Sequence, residues 1–188
     1  MGYTTDFSGS LKFNKPVTEE LREYINRFSD TRRMPRDNDK IKELYPNWKE
    51  LCFRGELGNK GEYFAPKGND YYLDESIIDY NGFREAVHPG LWCQWIITDD
   101  ELEWDGGEKF YNYVEWLEYL IDNFFEPLGY ELTGDITFQG EDTDDCGVIH
   151  VENNIVDVQY GMHVYSMHDV DTDRMIAELE RRGYKVTM

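Results

Sequence analysis

Apolar residues recur along this chain with two periods, one of two residues and one close to 3.6. Leu11 and Phe13 alternate with Lys12 and Asn14 inside residues 3–17, which predicts a strand or hairpin. The period then lengthens. Leu21, Tyr24, Ile25 and Phe28 follow Thr18, a good N-cap, with Glu19, Glu20 and Glu23 near the positive helix end, so a helix is expected to about Asp30. Residues 37–90 carry a weaker pattern. IKELYPNWKELCF predicts one or two short helices, RGELGNKGEYFAPKGND reads as Gly- and Pro-rich loop, and ESIIDYN as a short strand. Aromatic residues continue throughout, so this is an irregular excursion rather than a linker.

The second half is more regular. LWCQWIIT (91–98) has large apolar residues on both sides of the alternation, which predicts a central strand, and ELEW returns after Asp99-Asp100 as its partner. Phe110, Val114, Leu117, Ile121 and Phe124 form the apolar stripe of one long helix, entered through Gly106-Gly107 and stopped by Pro127 and Gly129. YELTGDITFQGE, GVIHVEN and IVDVQYG predict three strands, the last two joined by a tight Asn153-Asn154 turn. MHVYSM, DTDRMIAELERR and YKVTM predict a further strand, helix and strand. The expected class is α+β, an antiparallel sheet with helices packed on one face. Its order is the ferredoxin-like β-α-β-β-α-β pattern, with extra C-terminal strands and a terminal helix. Residues 1–160 would form a single domain with the excursion at 37–90, and residues 161–188 a β-α-β extension of it.

Charge sharpens the picture. The chain carries −20 over 188 residues, and the charge is unevenly placed: residues 1–60 hold 12 basic and 10 acidic residues, while residues 61–188 hold 7 and 29. Such a surface repels nucleic acid and anionic membranes and attracts basic proteins or cations. Solubility alone would call for acidity spread along the chain. The N-terminus lacks the basic and apolar regions of a signal peptide, no long apolar run is present, and Asp6 breaks the myristoylation pattern, which together predict a cytoplasmic protein. Cys52, Cys93 and Cys146 are odd in number and far apart, and read as reduced, structural thiols.

The acids that stand out lie on the long helix. Glu115, Glu118, Asp122 and Glu126 share a face away from the apolar stripe with no lysine or arginine among them, although like charges at this spacing cost about 0.2–0.5 kcal/mol per pair. Asp142, Asp144 and Asp145, beside Glu141, make a second cluster. With His150 these acids resemble a hard-cation site, but an exposed acidic turn explains them as well and no hydrolase spacing accompanies them. Asp169, Asp171, Asp173 and Glu180 imitate a calcium loop, yet Arg174 stands where the turn needs glycine. His163 and His168 are five apart and fall on opposite faces of a strand. Asp105-Gly106-Gly107 reads as a turn and N-cap, with Glu108 complementing the helix dipole. Arg32, Arg33 and Arg36 form a basic cluster suited to pairing with the protein's own carboxylates or to a local phosphate contact. Trp92, Trp95, Trp104 and Trp116 fit core packing better than a nucleic-acid platform, which needs basic neighbours.

Five segments, TRRM, IDYN, GLWCQW, LEWDGGEKFYNYVEWLEYLI and QGEDTDDCGVIHVENN, resemble a family of uncharacterised proteins of phages, prophages and bacteria over roughly residues 1–158. The chain departs from that pattern in a longer excursion after Arg36 and an extra tail after Tyr160. The resemblance implies a compact cytosolic protein often carried by mobile elements, where inhibitors of host defences are common, and it brings no catalytic residues.

The sequence therefore reads as a non-enzymatic, acidic protein-binding module, an anti-defence nucleic-acid mimic. It would occupy a basic surface of a host or phage protein through Glu115, Glu118, Asp122, Glu126, Asp142, Asp144 and Asp145, with no catalytic residue, metal or cofactor and no direct contact with nucleic acid or membrane. Two alternatives stay open. One is a ligand-binding or metal-dependent enzyme with a pocket between the sheet and the 37–90 excursion; the other is an immunity protein for a basic toxin.

Overall fold

The computed structural model describes residues 2–66, 74–82 and 88–161. Six strands form one sheet in the order β2-β3-β1-β4-β5-β6, every neighbouring pair antiparallel: β1 (Thr5–Phe13), β2 (Trp95–Thr98), β3 (Glu101–Trp104), β4 (Leu132–Gly140), β5 (Cys146–Glu152) and β6 (Ile155–Tyr160). Helices α1 (Glu19–Ser29), α2 (Asn38–Leu44) and α3 (Tyr113–Leu120) complete an α+β architecture. Among the described residues no helix is long and apolar enough to cross a membrane.

Alternation along the strands gives the sheet one dry face. Leu11 and Phe13 of β1, Leu132, Ile136 and Phe138 of β4, Ile149 and Val151 of β5, Leu102 of β3 and Trp95 and Ile97 of β2 pack with Leu21, Ile25 and Phe28 of α1 and Trp116, Leu117 and Leu120 of α3. Each large side chain so buried contributes about 1.5–3 kcal/mol relative to exposure. The other face, with Asp6, Ser8, Lys12, Thr133, Asp135, Thr137, Gln139, Glu152 and Asp157, lies open. β1 and β4 stay paired over nine positions because two glycines permit close backbone approach. A Cβ on Gly9 (φ 107°) would run into the Asp135 carbonyl oxygen, and one on Gly134 (φ 147°) would stand 2.7 Å from that of Ser10.

α1 begins as its sequence dictates: Thr18 Oγ1 accepts from the Leu21 N–H at 3.4 Å. Its far end has a second role. β2 is the outermost strand of the sheet, not a central one, and it is only four residues long. Its apolar character on both sides has another cause. Asn26 of α1 donates Nδ2–H to the Ile97 carbonyl at 2.9 Å and accepts the Ile97 N–H at 2.7 Å, while Ser29 Oγ donates to the Trp95 carbonyl at 2.6 Å. A helix side chain thus satisfies the strand edge as a neighbouring strand would, and the edge is buried rather than central. Replacing Asn26 with leucine should leave one buried N–H and one C=O unpaired and cost about 2–6 kcal/mol at 1–3 kcal/mol per group. Urea denaturation checks this, and a loss below about 0.5 kcal/mol, the level of an ordinary surface change, would show that the edge needs no cap.

The long helix also differs from expectation. It starts at Tyr113, after left-handed residues at Lys109 (φ 61°) and Asn112 (φ 54°), so Phe110 is buried without being helical and Glu108 lies outside the first turn. The Asp105 carboxylate instead closes its own turn, accepting the Gly107 N–H at 2.7 Å. After α3 the chain makes a π-helical turn at Ile121–Phe125 and a 3-10 turn at Glu126–Leu128, ending at Gly129 (φ 69°). Asn123 Nδ2 donates to the Tyr119 carbonyl at 2.9 Å, inserting a side chain into the i→i−4 ladder where the helix widens. Asn153 and Asn154 both adopt positive φ and form the expected β5–β6 turn.

The excursion builds a small core of its own from Ile41, Leu51, Cys52, Leu57 and Phe64, flanked by Tyr45 and Trp48. The strand expected at ESIIDYN is reduced to one bridge between Ile77 and Arg36. The elements predicted after Gly161, with the calcium-like acids, His163 and His168, lie outside the described residues.

Candidate protein-binding surface

Between Tyr113 and Glu126 the only exposed side chains are Glu115, Glu118, Asp122 and Glu126. Trp116, Leu117, Tyr119, Leu120, Ile121, Phe124 and Phe125 turn inward, so the helix shows solvent a narrow strip. That such a strip is polar follows from burial alone. That it is wholly acidic does not, and none of its four carboxylates has an ion pair or hydrogen bond among the described residues.

The second acidic cluster sits in the β4–β5 turn and is partly committed to structure. Tyr3 Oη donates to Asp145 Oδ2 at 2.7 Å and accepts the Asp142 N–H at 3.1 Å, and Glu141 Oε1 accepts the Thr4 N–H at 2.9 Å. Asp142 and Asp144 are exposed. The turn lies near the start of α3: burial foremost, then the charges of Asp145 and Glu115 among others, push the Tyr113 hydroxyl up to about 12. Tyr113, at the start of α3, thus stands near an acid of each cluster, while Asp122 and Glu126 lie farther along the helical segment. His150 does not join the turn acids. It sits on the open sheet face with Nδ1 2.5 Å from Asp135 Oδ1, and that hydrogen bond foremost raises its pKa. No group of three or more His, Cys, Asp or Glu converges to hold a metal among the described residues.

The three arginines separate. Arg36, 2% exposed, pairs with Asp74 at 2.6 Å and donates to Ser76 Oγ at 2.7 Å. Arg32 stays at the surface, its guanidinium 4.5 Å from the Tyr80 ring centre. Arg33 has no carboxylate partner among the described residues: Nε donates to the Thr31 carbonyl at 2.8 Å, the guanidinium lies 4.2 Å from the Phe28 ring centre, and Nη2 is buried without a hydrogen bond there. Burial lowers its pKa to about 10, which leaves it charged at neutral pH.

Around Arg33 lies a polar cluster that sequence reasoning missed. His88 is buried, with Nε2 3.0 Å from the Glu62 carbonyl oxygen. A carbonyl only accepts, so Nε2 carries the proton and Nδ1 is a bare acceptor, unpartnered among the described residues. Tyr119 Oη donates to the buried Glu62 carboxylate at 2.8 Å. Trp116, stacked on His88 at 5.8 Å, buries an indole N–H that also has no partner among the described residues. Arg33, Glu62 and His88 stand 26 to 55 positions apart in the chain, and no local pattern announces the cluster. Cys52 and Cys93 are buried, with thiols pushed up to about 12 by desolvation, which makes them poor nucleophiles; Cys146 is half-buried. Trp95 and Trp116 lie wholly in the core and Trp92 and Trp104 are half-buried, so the four do not form one exposed stacking platform.

Comparison with family models, with curated proteins and with solved structures finds no significant match to this chain.

Proposed function

We propose that this protein is a non-enzymatic, acidic binding module that occupies a basic, nucleic-acid-binding surface of a host or phage protein. The observation that carries this reading is the strip Glu115, Glu118, Asp122, Glu126, where every exposed side chain over 14 residues is a carboxylate without a cation partner among the described residues. At about 1.5 Å rise per residue these acids stand roughly 4.5–6 Å apart along the axis. That spacing approaches the spacing of phosphates along a nucleic-acid strand. Exposed Asp142 and Asp144 continue the charge past the start of α3, with Asp145 behind them. The resemblance to proteins of phages and prophages supports an anti-defence role within the cytoplasm. We also read β1–β4 as a ferredoxin-like unit: β1 lies between β3 and β4, and both helix-bearing connections skip one strand. β5 and β6 would then extend it.

The test is capture of partners from bacterial lysate, with and without nuclease, eluted along a salt gradient. Changing both Glu115 and Glu118 to glutamine should weaken a basic partner about tenfold, at roughly 0.7 kcal/mol per rim charge. The same change relieves like-charge repulsion, so the melting temperature should hold or rise. A partner retained with unchanged affinity by the double variant would remove the helix strip as the site.

A further inference from the structure

A cleft of about 450 Å³ opens between Gly90–Trp92 and the irregular segment 108–112, bordered also by Arg32. Its walls are Leu91, Trp92 and Tyr111, and its charged groups are Arg32, Lys109 and Glu108. Cations therefore outnumber acids here, on a chain that carries −20. Arg32 is held in place: Nε donates to the Tyr80 carbonyl at 3.3 Å, Nη2 donates to Asn81 Oδ1 at 2.9 Å, and the guanidinium stacks on Tyr80. Its Nη1 and the Lys109 Nζ have no hydrogen bond among the described residues.

The lining glycine gives the cleft its chemistry. A Cβ on Gly90 would have as its nearest atoms Trp116 Nε1 at 3.4 Å and Asn112 Nδ2 at 3.7 Å, both of them N–H donors. The Asn112 amide gives one hydrogen to the Pro89 carbonyl at 2.6 Å and has a second to give. Trp116 is completely buried and its N–H is unpartnered among the described residues, a state that costs about 1–3 kcal/mol unless an acceptor arrives. Two donors within 4 Å of one point call for an oxygen with two lone pairs, two nearby cations call for negative charge, and flat apolar walls call for a ring.

We propose that this cleft binds a small aromatic carboxylate or aryl phosphate. An anionic oxygen sits on the open side of Gly90 between Trp116 Nε1 and Asn112 Nδ2, the ring lies against Trp92 and Tyr111, and Arg32 and Lys109 supply the charge. The site shares no residue with the acidic strip and stands or falls independently of it.

Indole N–H resonances in ¹H–¹⁵N spectra read the site directly, with Trp116 assigned through Trp116→Phe. Benzoate and phenyl phosphate serve as the two anionic probes, and benzyl alcohol as the neutral one. One of the anions should move the Trp116 indole signal saturably, and which one binds tighter separates carboxylate from phosphate recognition. Gly90→Ala keeps ordinary van der Waals distances and needs no left-handed backbone, so it should fold. Its methyl group takes the oxygen's place and should weaken binding at least about tenfold, the loss of a charge-assisted hydrogen bond. Arg32→Gln, at a partly exposed position, should weaken the anion several-fold and leave benzyl alcohol untouched. No saturable Trp116 shift with either anion up to about 10 mM, a range that detects even millimolar affinity, overturns the proposal. So does unchanged affinity in both variants, or equal binding of benzyl alcohol.

Discussion

Replacing Phe28 with alanine should remove about 3–5 kcal/mol of stability, the usual cost of emptying a fully packed aromatic site. Phe28 has no exposed surface and sits where both helices meet the excursion. Its ring meets Phe124 at 5.2 Å, His88 at 5.9 Å, Tyr24 and Trp116 at 6.1 Å, and Tyr119 at 6.2 Å in a stacked arrangement. The same ring faces the Arg33 guanidinium, which has no carboxylate partner among the described residues. Alanine would thus open a cavity and strip a buried cation of its π partner at once. The measurement is urea unfolding at neutral pH with the slope compared between the two proteins. A loss below about 1.5 kcal/mol would mean that the aromatic cluster collapses onto the gap and that Phe28 is not its centre.

The second large effect is acid lability from His88. Desolvation foremost, then the Arg33 charge, push its pKa down to about 3, against the hydrogen bond to Glu62. An exposed histidine of the unfolded chain titrates near 6.5, so between about pH 6.5 and pH 3 the unfolded state binds the extra proton. Stability is therefore complete above about pH 6.5 and falls with acid by up to about 1.4 kcal/mol per pH unit. Arg33 carries the response to lower pH than burial alone would, because the imidazolium would form beside a fixed positive charge. Chemical denaturation in steps from pH 7.5 to pH 4 checks it. His88→Gln should lower stability at pH 7 and flatten the profile between pH 6.5 and pH 4.5, above the range where ordinary carboxylates titrate. An unchanged slope in that variant would assign the acid sensitivity elsewhere.

What could be read from the residues alone was whatever is decided locally. Thr18 caps α1 because its hydroxyl needs only the N–H three residues on, and Asn153-Asn154 turns because both residues tolerate positive φ. The inward alternation of β4 and β5 follows in the same way. Misreadings came where a distant group decides. β2 reads as central because its edge is filled by Asn26, some 71 residues away, a bond that no periodicity encodes. Phe110 fits the helical stripe yet packs from an irregular turn, since positive φ at Lys109 and Asn112 supplies by backbone geometry what the pattern ascribed to a helix. The π-helical turn is equally hidden, because it rests on one asparagine bonding a carbonyl four residues back. The acidic strip was legible, as it needs only helical spacing. The Arg33–His88–Glu62 cluster and the donors behind Gly90 were not, because each joins segments brought together only by the fold.

The capped edge of β2 gives the sheet a polarity. On that side the backbone groups of Trp95 and Ile97 are spoken for, whereas the outer side of β6, with Ile155 and Tyr160 exposed, is unpaired among the described residues. A sheet open at both ends can add copies without limit, as fibres do. One open at a single end can only pair, β6 against β6, and then stops. Among the described residues only β6 offers such an edge, so association through the sheet would pair β6 with β6 into a closed two-fold dimer rather than a growing polymer.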